Sequence, residues 1–70
     1  MDMTNTQKAN LATMLVSMCR ECNDWQSGAM ERLEGAEDIL NALDLPFQIL
    51  RNAESDRYTA VELCGEVYTV

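Results

Sequence analysis

The chain of 70 residues contains no histidine, one proline, three glycines, three cysteines and four aromatic residues, and its five basic side chains face 12 acidic ones. Without histidine, a serine or cysteine nucleophile has no usual base, so nucleophilic catalysis is excluded in its common forms. Zinc normally takes four ligands from Cys, His and carboxylates. Cys19 and Cys22 have the spacing of a ligand or redox pair, but only Cys64 could join them, and no strand precedes the pair as a thioredoxin-type site requires. An odd number of cysteines also argues against a disulfide-stapled secreted scaffold. The cysteines therefore read as inert, buried thiols. The scarcity of cations, giving a net charge of −7, excludes binding to DNA, RNA or an anionic membrane surface and makes a basic partner the natural complement. No run approaches the roughly 18 apolar residues of a membrane span, and Met1-Asp2-Met3-Thr4-Asn5 lacks the basic and apolar regions of a signal peptide. The expected setting is the cytoplasm, with reduced thiols.

What is present is a hydrophobic content of 47%, enough for a folded domain. Seventy residues make one domain near the lower limit of self-sufficiency, so help from a second subunit is conceivable on size alone. Leu11, Leu15, Met18, Cys22 and Trp25 recur at alternating steps of four and three, drawing one apolar seam down a helix over 6–25. Met14 and Cys19 flank that seam, and Val16 lies off to one side. A second seam, Ala29, Leu33, Ala36, Leu40 and Leu43, marks a helix over 27–44. Residues 1–5 are polar and expected to be flexible, with Thr4, Asn5 or Thr6 available as the first N-cap.

Between the seams, Asn23-Asp24-Trp25-Gln26-Ser27-Gly28 favours a turn, with Ser27 or Asp24 as the second N-cap. One continuous helix with a stutter is the alternative. Gly28 and Gly35 would each cost its interior about 1 kcal/mol, which favours an antiparallel hairpin. Asp44-Leu45-Pro46 ends the second helix, because proline cannot continue the hydrogen-bond ladder.

From Phe47 the period changes to two. Phe47 and Ile49 share one face, Arg51 to Asp56 is a polar loop, and Tyr58 to Leu63 is the next strand. Cys64-Gly65 forms a two-residue turn, and Val67 to Val70 returns. If Leu63 faces Glu66, then Val61 faces Tyr68, and that face covers the helices. The expected fold is α+β, an N-terminal antiparallel helical hairpin packed on a three-stranded antiparallel meander over 47–70 (ααβββ).

Carboxylate pairs such as Glu62 with Glu66 offer acid–base chemistry only in a cleft that shifts their pKa, which so short a chain has little volume to build. The reading is of no enzyme, no cofactor and no metal. Met14, Met18 and Met30 could form an adaptable surface, but their spacing places them in the core. Trp25 reads as a lid on the core at the helix junction, and Tyr58 as an exposed anchor opposite the core.

Charge carries the functional expectation. Residues 31–70 hold nine acids, Glu31, Glu34, Glu37, Asp38, Asp44, Glu54, Asp56, Glu62 and Glu66, against Arg32, Arg51 and Arg57. Such charge can serve solubility alone. It can also dock on a lysine- and arginine-rich surface, and a surface of that kind usually holds nucleic acid. The expected partner surface is built from Glu31, Glu34, Glu37, Asp38, Asp44, Glu54, Asp56 and Tyr58, and the expected partner is a basic protein or nucleoprotein complex. A homodimer through the helical seam or the Val67 to Val70 edge is the alternative.

An acidic, histidine-free single domain with the Glu31 to Asp44 cluster and a terminal Tyr58 to Val70 hairpin resembles the small phage-encoded anti-defence proteins, anti-CRISPR proteins in particular. The likeness rests on size, charge and compactness and carries no residue roles. It implies an inhibitor that blocks nucleic-acid entry to an effector complex in a host bacterial cytoplasm.

Overall fold

The structure, a computed structural model, describes residues 2–70. Its elements are α1 (Asn5–Asn23), α2 (Ala29–Ala42), β1 (Phe47–Arg51), β2 (Tyr58–Leu63) and β3 (Glu66–Thr69). The fold is α+β, two helices followed by a three-stranded antiparallel sheet in the order β1-β2-β3. No helix among the described residues is long and apolar enough to cross a membrane.

Thr4 begins α1 with a capping box: its side chain accepts from the Gln7 amide at 3.0 Å while the Gln7 side chain accepts from the Thr4 amide at 2.9 Å. The expected flexible segment 1–5 thus contributes a cap and the first helical residue, and Met3 packs against the core. Of that expectation, the part on Met1 lies outside the described residues.

Both helices end in the same way. After α1 the Gln26 amide donates to the Glu21 carbonyl and the Trp25 amide to the Cys22 carbonyl; after α2, Leu45 donates to Leu40 and Asp44 to Asn41. These paired bonds are Schellman motifs, which satisfy carbonyls the helix leaves without partners. They require a left-handed residue, here Trp25 at φ 57° and Asp44 at φ 55°. The connection is a hairpin, as the glycine cost implies. Neither Ser27 nor Asp24 caps α2, however: Gly28 occupies that position at φ 78° and supplies no side-chain bond.

The sheet follows the alternation. Cys64 and Gly65, at φ 51° and 87°, form the two-residue turn, and Leu63 pairs with Glu66 and Val61 with Tyr68. On the other side Phe47 pairs with Leu63 and Ile49 with Val61, and the register shifts at Leu50/Arg51. Val61 and Leu63 are fully buried. They meet Ala12, Leu15, Val16, Cys19 and Cys22 of α1 and Ala29, Leu33 and Leu40 of α2 in one core. Val16 is therefore a core residue and not a flank, because α1 lies against α2 and against β2 and so buries more than one stripe. Burial holds the Cys19 thiol up at about 11, with Cys22 and Glu37 adding to the shift, so it stays protonated and unreactive.

Asn23 ties the end of α1 to the start of β2. Its carboxamide accepts from the Tyr58 amide at 2.8 Å and donates to the Tyr58 carbonyl at 3.0 Å, satisfying both main-chain groups at once. Asn23→Ala leaves these half-buried groups without partners and is expected to cost about 1–3 kcal/mol in chemical denaturation. Asn23→Asp, which can only accept when ionised, should lose a large part of the same stability.

Candidate functional site

The first candidate surface is the outer face of α2. Glu31, Glu34 and Asp38 recur at steps of three and four, which stacks them along one side of the helix, and Glu37 stands beside them. Burial first, then the charges of Glu34 and Asp38, push the Glu37 carboxyl above its ordinary range. Glu37 thus feels the charges of Glu34 and Asp38, and Glu31 extends the same acidic ridge of the helix by a turn. The cations nearby are engaged elsewhere: Arg32 pairs with Glu21 at 2.9 Å, Arg51 with Asp56 at 3.1 Å and Lys8 with Glu66 at 3.5 Å. Among the described residues no ion pair reaches the four acids of the ridge.

Their pKa direction fixes a pH dependence. A carboxyl whose folded pKa is raised favours folding in its protonated form, so its contribution is present at low pH and fades as pH rises through the folded value. The Glu37 contribution to melting temperature is accordingly expected to grow as pH is lowered from neutral to the ordinary carboxylate value of 4.5, and Glu37→Gln should remove it. Glu66 has the opposite sign. The Tyr68 hydroxyl, which donates to it at 2.7 Å, and then Lys8 hold its carboxyl below the usual range, so its contribution is lost only in more acidic solution.

The remaining expected site residues lie elsewhere. Asp44 is the left-handed residue just past α2, a structural role that its short polar side chain tolerates. Glu54 and Asp56 belong to the loop from Asn52 to Arg57, which the Asn52 side chain orders by accepting from the Glu54 and Ser55 amides. That loop adjoins Trp25 and Met30 at the start of α2, the opposite end from Asp44 by the helix length of about 21 Å. Tyr58 is half-buried, packs against the core and carries the Arg51 guanidinium 5.0 Å from its ring centre. It is not the freely exposed anchor expected, because Asn23 pins its main chain against α1.

Trp25 takes the exposed role. It is 88% accessible and not a core lid, since the left-handed turn that ends α1 swings it off the seam. A bulky aromatic residue in this conformation is strained, and here nothing in the chain packs over it to compensate. Trp25→Gly is expected to raise stability by about 1 kcal/mol in urea titration. The polar cluster Asn23-Asp24-Trp25-Gln26-Ser27-Gly28 signals the turn that exposes Trp25, against the spacing of the seam.

A second surface opens between the helices. Met14, Ile39 and Leu43 are 56%, 62% and 42% exposed, and with Leu11, Met18 and Gly35 they border a groove of about 490 Å³ lined by helix residues alone. Met14 and Met30 are therefore surface residues, not core. The period of the two seams was legible, but the sheet covers only one side of the pair. Gly35, where an added Cβ would meet nothing within 4 Å, keeps one wall low. The Arg32 pair with Glu21 bridges the helices beside it. A scan against protein-family models finds no match for this chain, and searches among curated proteins and solved structures find none either.

Proposed function

We propose that the protein is a binding inhibitor that docks the acidic ridge of α2 on a lysine- and arginine-rich surface of a nucleic-acid-binding protein and so keeps nucleic acid off it. The ridge is the observation that carries this reading. Glu34 and Asp38 disfavour the charged form of Glu37, no ion pair reaches these three or Glu31 among the described residues, and a cationic surface relieves that repulsion on contact. Trp25 adds an exposed aromatic anchor of the kind that dominates interfaces. Blockade of this sort needs no catalytic group, and an anti-defence role in a bacterial cytoplasm is its natural setting. Affinity for the target should fall steeply between low and high salt, because long-range steering by exposed charge is screened. An affinity indifferent to salt would contradict the reading.

A homodimeric structural or regulatory subunit is the second reading. It is favoured by β3, an edge strand whose Val67 is 62% exposed. Sedimentation at micromolar concentration separates the two, since a monomer removes the dimer.

A further inference from the structure

The groove between α1 and α2 has a shape and an asymmetry of charge that select an occupant. From Arg32 to Leu43 it runs about 17 Å at 1.5 Å per residue, three turns of a helix. Apart from Arg32 at one end, its borders are flexible methionines and aliphatic side chains that adapt to an apolar stripe. Gly35 lets a backbone approach.

The two rims differ. Gly35 is flanked one turn away by Glu31 and Asp38, neither with a cation, whereas Met14 is flanked by the neutral Asn10 and Ser17. Arg32, the one charged residue of the lining, is answered by Glu21, so an entering helix meets unpaired negative charge along one side only. A second copy of this chain brings −7 of its own and the same acidic rim, so self-association sets like charge against like.

We infer that the groove binds an amphipathic helix of the partner protein, its apolar stripe seated between Leu11, Met18, Ile39 and Leu43 and its lysines or arginines along the flank that meets Glu31 and Asp38. This rests on the reading that the partner is basic and adds where its apolar contact is made. Helix-in-groove recognition takes its anchors at i, i+3, i+4 and i+7, which matches a groove of this length.

The test uses a synthetic helix of 14 residues, the length of α2, labelled with fluorescein, leucine at the anchor positions and lysine on one flank only. Two controls carry the same composition scrambled, or glutamate in place of lysine. The lysine-flanked helix is expected to bind about tenfold or more tighter than either control. Ile39→Asp and Met14→Asp, both at exposed positions, should each weaken it about tenfold while circular dichroism is unchanged. The double variant E31K/D38K should transfer the preference to the glutamate-flanked helix. Equal binding of the scrambled peptide overturns the inference, as does a dimer that Ile39→Asp dissolves, which would make a second copy the occupant. Binding lost in E34K/E37K/D38K but intact in Ile39→Asp overturns the groove and leaves the acidic docking face standing. Indifference of the probe to both sets overturns both.

Discussion

Leu63→Ala is expected to remove about 3–4 kcal/mol of folding stability, most of what a chain of this size has. Leu63 is fully buried on the central strand, paired with Phe47 on one side and Glu66 on the other, and it faces the helices. Truncation removes transfer energy and leaves a cavity that the sheet, held by ladders on both edges of β2, cannot close by collapsing. Ile39→Asp makes the contrasting case. It changes an aliphatic residue of equal size to a charge, yet Ile39 is 62% exposed on the groove, so the change should cost no more than about 1 kcal/mol. Urea titrations of the two variants separate side chains that hold the fold from side chains held out for contact. Equal losses would mean that the groove is closed in solution.

The second large effect is on binding. E34K/E37K/D38K should raise the dissociation constant for the target by about 150-fold or more, roughly 3 kcal/mol, because three attractions become repulsions at a cationic surface. Folding should be nearly untouched. Glu34 and Asp38 already repel each other at a spacing of four, and two lysines there repel to the same degree. Of the three positions 38 is nearest the C-terminal end of α2, where the helix dipole favours a cation. An unfolded variant is thus not the expected outcome, and circular dichroism checks it. The neutral variant E34Q/E37Q/D38N should bind with intermediate affinity and gain a few tenths of a kcal/mol in stability.

Local chemistry made most of the fold legible. Cys64-Gly65 sets the turn, the turn sets the register of Leu63 with Glu66 and Val61 with Tyr68, and Asp44 to Pro46 stops α2, each within a few residues of sequence. What depends on packing was not legible. Periodicity marks the apolar stripe of a helix but not which part of it a sheet will cover, so Met14 and Leu43 carried the same signal as Leu15 and Leu40. Trp25 departs from the seam because it ends the helix in a Schellman motif, a position that normally takes glycine, and nothing in the sequence announces a tryptophan forced into that conformation. Of the eight residues expected at the docking surface, the α2 quartet is brought together. Asp44 serves a helix end, Glu54 lies in the ordered loop with Asp56, Asp56 is answered by Arg51, and Tyr58 is half-buried. Charge counted along a chain gives no sign of which carboxylates the fold will pair with an arginine.

The most direct measurement immobilises the wild-type chain and E34K/E37K/D38K side by side, captures protein from bacterial cytoplasm, and assays what each retains for nucleic-acid binding with and without added free chain. Wild type should retain a nucleic-acid-binding protein that elutes with salt and releases its nucleic acid when free chain is added, while the reversed variant retains none of it. The same protein held equally by both, still carrying its nucleic acid, would contradict the account.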